Sequence, residues 1–140
     1  MSAIRIRGLD HVVLRVVDLE RSKAFYRDVL GCPEEKWQPD LGLLQMRAGS
    51  ALIDLVDING KLGRQGGASP GTEGRNVDHF CVQLAAFDET ALRAHLTAHG
   101  VAPGAVVQRY GAEGYGRSMY ISDPDGNQVE LKAPPDRSAA

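Results

Sequence analysis

Four histidines and a few strand-borne carboxylates are the residues of this 140-residue chain best able to do chemistry. His11 lies in Leu9-Asp10-His11-Val12-Val13-Leu14, and His79 lies in Val77-Asp78-His79-Phe80-Cys81-Val82, 68 positions on. An Asp-His pair at the same point of two apolar, alternating runs indicates an internal duplication. Asp54 and Glu130 sit in two further runs, Ala51–Asp57 and Gln128–Lys132. Side chains along a strand alternate between its faces. The alternation opposes Val12, Leu14 and Val16 to His11, Val13 and Arg15, and Phe80, Val82 and Leu84 to His79, Cys81 and Gln83. It also opposes Ile53 and Leu55 to Leu52, Asp54 and Val56, and Met119 and Ile121 to Ser118, Tyr120 and Ser122. In the last run Val129 and Leu131 oppose Gln128, Glu130 and Lys132. One face of every strand is apolar and suits packing on helices. The other collects His11, Asp54, His79 and Glu130, and in a curled sheet it would be concave.

A duplication would bring the two histidines together by pseudo-twofold symmetry. Two imidazoles with one or two carboxylates are donors for a divalent metal. Taken singly, each has a plainer reading: a histidine hydrogen-bonded within the fold, Asp54 facing solvent, Glu130 paired with Lys132 or Arg117. The recurrence is what points to a metal. His95 and His99, four apart on a helix, are a rival pair, but no acidic third ligand accompanies them. His99 directly precedes Gly100, where a cation near a helix end is ordinary.

The elements that must position these residues repeat as well. Asp18 leads into Ser22–Gly31 and Asp88 into Ala91–Gly100, each an N-capping Asp, a helix and a stopping Gly. Strands are expected at Glu35–Gln38, Leu43–Arg47 and Ala51–Asp57, then at Ala105–Arg109, Ser118–Ser122 and Gln128–Lys132. Asp123-Pro124-Asp125-Gly126-Asn127 is the turn before the last strand. The chain therefore reads as α+β, a single domain over 1–140 built of two paired βαβββ modules at 8–59 and 77–132. A flexible linker with six glycines is expected at 60–76, and a loose tail at 133–140. The linker holds no GxxxxGK[ST] and is not read as a phosphate loop.

Composition bounds the rest. The net charge of −2 argues against a broad phosphate-binding field, so no nucleic-acid partner is expected. No apolar run is long enough to span a bilayer or to act as a secretory signal, so no membrane partner is expected. Two cysteines, Cys32 and Cys81, make no disulfide framework, and the expected setting is the reducing cytoplasm.

The paired modules, Phe25-Tyr26-Arg27-Asp28-Val29-Leu30-Gly31, and Asp123-Pro124-Asp125-Gly126-Asn127-Gln128-Val129-Glu130-Leu131 resemble the vicinal oxygen chelate superfamily. That group includes glyoxalase I, fosfomycin-resistance thiol transferases, bleomycin-resistance proteins and extradiol dioxygenases. The resemblance covers about residues 8–132. Arg109-Tyr110-Gly111-Ala112-Glu113-Gly114, running into Ser118-Met119-Tyr120, is most similar to glyoxalase-domain relatives. The family carries metal ligands on its first, fourth, fifth and eighth strands. Position by position this implies His11, Asp54, His79 and Glu130. Asp54 stands where glyoxalase I has a Glu, a departure that shortens the reach of that carboxylate. Val13 stands where the thiol transferases have a Thr. Tyr120 matches their cavity Tyr, and Arg137 is the one counterpart for their substrate-binding Arg. The two-His, one-Glu triad of the dioxygenases matches His11, His79 and Glu130. Bleomycin-resistance proteins lack such ligands.

The resemblance implies a divalent-metal-dependent, glyoxalase I-like enzyme of isomerase or lyase type, related to lactoylglutathione lyase. Its substrate would be a small molecule chelated through two adjacent oxygens, such as a glutathione or other thiol adduct. The metal could be Zn, Ni, Mn or Fe. Glu130 or Asp54 would move the proton, and Arg15, Gln83, Tyr120 and Lys132 on the same face would contact substrate. The alternatives are thiol transfer to an epoxide drug, ring-cleaving dioxygenation on the same metal, and a binding protein for a small-molecule drug. A homodimer is expected, with His11 and His79 meeting either within one chain or across the interface.

Overall fold

The computed structural model describes residues 3–136. The chain divides between Ser69 and Pro70 into two compact units. The first contains β1 (His11–Val16), α1 (Leu19–Ala24), β2 (Glu34–Gln38), β3 (Leu43–Ala48) and β4 (Ala51–Asp57). The second contains β5 (His79–Gln83), α2 (Glu89–Ala98), β6 (Val106–Gly111), β7 (Gly114–Ser122) and β8 (Gln128–Lys132). Each unit is βαβββ, the expected α+β architecture. Within each, four strands form one mixed sheet, ordered β1-β4-β3-β2 and β5-β8-β7-β6. The first strand of each unit runs parallel to the fourth, and the remaining pairs are antiparallel.

Local chemistry explains the boundaries. Asp18 accepts from the Arg21 amide and Asp88 from the Ala91 amide, each at 3.1 Å. Such a cap contributes about 1 kcal/mol by satisfying an orphan helix donor. Gly31 and Gly100 follow the helical segments with φ of 71° and 73°, which a Cβ would strain. The first helix differs from the single regular helix expected. After Ala24 it widens into a π-helical turn over Phe25–Val29. Consecutive Phe25 and Tyr26 in this turn are both buried, edge to face with centroids 5.1 Å apart.

The core follows the alternation. Val16, Leu44, Met46, Ile53 and Leu55 are buried in the first unit, and Leu96, Met119, Ile121, Val129 and Leu131 in the second. Each fully buried side chain of this size contributes roughly 1.5–3 kcal/mol. Committing these positions to the core turns their neighbours to the other face. Strand register then decides which polar groups meet there.

Two segments expected to be loose are partly built in. Within 60–76, Gly63–Gly66 forms a 3-10 turn. The Arg15 side chain donates to the carbonyls of Gly63, Gly67 and Ala68 at 2.9, 2.7 and 3.0 Å. A Cβ at position 66 would collide with that guanidinium. Beyond Lys132, the Ala133 amide donates to Arg117 O at 2.8 Å and the Asp136 amide to Tyr115 O at 2.7 Å. The tail thus continues along β7 as far as it is described; Arg137 lies outside the described residues. Among the described residues, no helix is long and apolar enough to cross a membrane.

Candidate functional site

In the first unit, His11 opens β1 on the face shared with Val13 and Arg15. Its Nδ1 lies 2.7 Å from an Asp10 carboxylate oxygen. That hydrogen bond is the main reason the His11 pKa is raised above 6.5, with the Asp54 and Asp10 charges adding to it and desolvation opposing it. Register pairs Val13 with Asp54 across β1 and β4, and Gln45 with Asp54 across β3 and β4. Asp54 is only 2% exposed, between Leu52 and Val56 on its own strand face. Gln45 Nε2 donates to its Oδ2 at 3.2 Å, while Oδ1 is buried with no partner. Burial raises the Asp54 pKa, against the pull of Gln45 and of the His11 charge.

The second unit repeats the plan with different neighbours. The Asp123 turn delivers β8: its Oδ1 accepts from the Asp125 and Asn127 amides at 2.9 and 2.8 Å, and its Oδ2 accepts from Asn127 Nδ2 at 2.9 Å. Register sets Glu130 opposite Cys81 on one side and Tyr120 on the other. His79 Nδ1 lies 2.7 Å from Asp78, as His11 does from Asp10. Its Nε2 faces Glu130 Oε1 at 3.2 Å and the Tyr120 hydroxyl at 3.4 Å. The His79 and Tyr120 rings meet edge to face at 5.0 Å. Desolvation first, and then the Glu130 carboxylate, raise the Tyr120 pKa, while Arg109 lowers it. Cys81 is exposed as a residue. Its thiol is nevertheless pushed up to about 11, by desolvation first and then by the Glu130 charge, so it is not a thiolate at neutral pH.

Of the residues expected to contact substrate, Tyr120 lies against His79. Gln83 is exposed at the end of β5, in register with Lys132. Lys132 is buried and donates to Gly114 O at 3.1 Å. Its chain lies over Gly111 and Gly116, where a Cβ would come within 2.6 Å of Cε and 3.0 Å of Nζ. Arg15 spends three of its donors on the 63–68 loop instead. Arg109 was missed by sequence reasoning. It lies 4.5 Å over the Tyr120 ring, and Ser118 Oγ and O hold its Nη1 at 2.6 and 3.2 Å. The available signal was its place on the face of Ser118 and Tyr120, which appears only once β6 is registered on β7. Gln45 and Gln38 were missed for the same reason. On α2, His99 Nδ1 lies 2.9 Å from His95 O, an ordinary helix-end contact.

In the second unit a histidine and a carboxylate of the expected metal set meet at 3.2 Å, whereas in the first His11 and Asp54 share a face and act on each other through charge. Among the described residues, no three His, Cys, Asp or Glu side chains are gathered into a metal-binding group. Three features suit the donors to a cation. Each Nδ1 is engaged by the preceding Asp, which leaves Nε2 as the nitrogen turned away from that partner. His79 Nε2 and Glu130 Oε1 are two electron-rich atoms at a distance that a proton or a cation would bridge. Asp54 Oδ1 is a buried carboxylate oxygen without a donor. Nitrogen and carboxylate donors of this kind suit Zn, Ni, Mn or Fe.

The Glyoxalase/Bleomycin resistance protein/Dioxygenase superfamily matches residues 8–131, and the chain belongs to it. An integron cassette protein from the mobile metagenome of V. cholerae shares 27% identity with a TM-score of 0.73, covering 94% of this chain and 98% of that one. The fosfomycin resistance protein FosX from Listeria monocytogenes has 23% identity and a TM-score of 0.66, covering 93% and 95%. A lactoylglutathione lyase from Agrobacterium tumefaciens has 21% identity and a TM-score of 0.64, covering 91% and 94%. The last two likenesses show a shared fold.

Proposed function

We propose that this chain is a divalent-metal-dependent enzyme of glyoxalase I type, acting on a small substrate through two adjacent oxygens. The proposed ligands are His11, Asp54, His79 and Glu130. The observation that carries the reading is the repeated Asp-His device. Asp10 and Asp78 each engage Nδ1 at 2.7 Å, and the second of these histidines turns Nε2 to Glu130. A bound divalent ion would supply Lewis acidity to the paired oxygens. The protein's own groups would do the remainder. Asp54, whose burial favours holding a proton, or Glu130 would take a proton from the substrate carbon and return it. The Tyr120 hydroxyl would orient substrate beside His79, with Arg109 holding the phenol ring in place. Buried Lys132 would add a fixed positive charge to this face.

The test is turnover of the glutathione–methylglyoxal hemithioacetal by purified protein loaded in turn with Ni²⁺, Zn²⁺, Mn²⁺ and Fe²⁺. Metal-dependent isomerisation that disappears in His79→Ala supports the proposal. Absence of turnover with every metal would sink it. Thiol-dependent opening of an epoxide or oxygen uptake on a diol would move the assignment to transferase or dioxygenase.

A further inference from the structure

Asp54 does not stand alone on its face. A chain of side-chain hydrogen bonds leads to it from the sheet edge. Gln38 Nε2, on edge strand β2, donates to Gln45 Oε1 at 3.0 Å, and Gln45 Nε2 donates to Asp54 Oδ2 at 3.2 Å. The direction of this chain is set by its end. An ionised carboxylate only accepts, so Gln45 must turn its NH₂ towards Asp54 and its carbonyl oxygen towards Gln38. That orientation in turn requires the NH₂ of Gln38. The amides therefore hold one carboxylate oxygen and leave the other, Oδ1, buried and unpartnered. On the same face in register lie Val13 with His11 and Arg15 on β1, Leu52 and Val56 on β4, and Leu43 and Arg47 on β3. The donors among them are spent elsewhere: His11 Nδ1 on Asp10, Arg15 on the 63–68 loop, and Arg47 on Glu35 and Ala51 O.

The equivalent place in the second unit shows that the arrangement is particular. By register Gln45 corresponds to Tyr120, since each is paired with the fourth-strand carboxylate of its unit. Tyr120 shares its hydroxyl between His79 Nε2 and the Glu130 carboxylate, whereas Gln45 donates to Asp54 and is itself held by Gln38. Two halves that share one backbone plan thus engage their carboxylates with different groups, a phenol in one and a chain of two amides in the other.

We propose that Gln45, fixed by Gln38, is a positioning residue that holds the Asp54 carboxylate by Oδ2 so that Oδ1 is presented to a divalent cation. This rests on the metal assignment above and extends it to two residues outside the ligand set. An outer hydrogen bond of this kind fixes the ligand in one rotamer before the metal arrives, and its loss typically weakens metal binding by roughly 10–100-fold.

The experiment titrates metal-stripped full-length protein with Co²⁺ alone. Affinity is read by chelator competition and coordination by the visible absorption of the bound ion. Gln45→Leu should weaken Co²⁺ binding by about 10-fold or more and change the absorption band, and Gln38→Leu should act in the same direction more weakly. In an Asp54→Ala background both substitutions should be silent, because the residue through which they act is gone. Unchanged affinity in Gln45→Leu, or losses that add to that of Asp54→Ala, would overturn the inference. His79→Ala is run in parallel. If it binds Co²⁺ as tightly as the parent, the metal assignment fails and this inference with it. If His79→Ala loses Co²⁺ while Gln45→Leu keeps it, only the positioning role fails.

Discussion

Replacing Asp54 with Val should stabilise the metal-free protein, an unusual expectation for a substitution in the middle of a sheet. Asp54 is 2% exposed and carries one buried oxygen with no donor. An unsatisfied buried polar atom costs about 1–3 kcal/mol. Val removes that cost, suits a strand and matches its neighbours Leu52 and Val56. Against this stands the loss of the Gln45 hydrogen bond, worth about 1 kcal/mol, softened because Gln45 is half-exposed and can turn to water. The net gain at neutral pH is about 1–2 kcal/mol, or roughly 3–6 °C in Tm for a chain of this size.

The gain depends on pH in a definite direction. Burial raises the Asp54 carboxyl above its ordinary 3.8, so folding favours the protonated form. That contribution to stability is complete below pH 3.8 and is lost as pH rises through the raised value. The advantage of Asp54→Val should therefore be small in strong acid and grow as pH rises through the raised value. Urea denaturation of both proteins, stripped by chelator and run across that rise in pH, measures it. Added divalent metal should stabilise the parent by mass action and stabilise Asp54→Val less, through the three proposed ligands that remain. A variant less stable than the parent at neutral pH, or a difference that is flat with pH, would refute the reasoning.

Two further outcomes are expected. Asp10→Asn removes the first cause of the raised His11 value, so the His11 imidazole should titrate closer to 6.5, as followed by its ring-proton NMR shift; an unmoved titration would show that the Asp10 contact is not made in solution. Arg15→Gln removes charge-assisted bonds to Gly63, Gly67 and Ala68 and should cost about 2 kcal/mol. Amide exchange in the 63–68 loop should quicken, and unchanged protection there would mean that Arg15 is not what holds the loop.

The parts of this architecture carried by short-range rules were legible in the sequence. The Asp-His duplication, the period-two alternation, the Asp18 and Asp88 caps and the stopping glycines all follow from neighbours in the chain. Features that depend on cross-strand register were not. Gln45 meets Asp54, and Arg109 meets Tyr120, only after particular strands pair in a particular frame. Arg15 lies on the face expected of a substrate contact, yet its acceptors are main-chain carbonyls 48 to 53 residues away, and carbonyls leave no mark in the residue sequence. The widening of the first helix at Phe25 was hidden because a π-turn and an α-turn share their apolar residue types.

The bed of Gly111 and Gly116 beneath Lys132 makes two uncharged residues part of the electrostatics of their sheet. Gly116 lies on β7, beside the lysine's strand, and Gly111 one strand further on β6, and their missing Cβ atoms leave the trough its side chain crosses to reach Gly114 O. A methyl group added at either place would lift a positive charge out of its trough without altering any charged residue. Drift at these glycines would therefore act as a silent charge mutation, invisible to any comparison that counts only ionisable side chains.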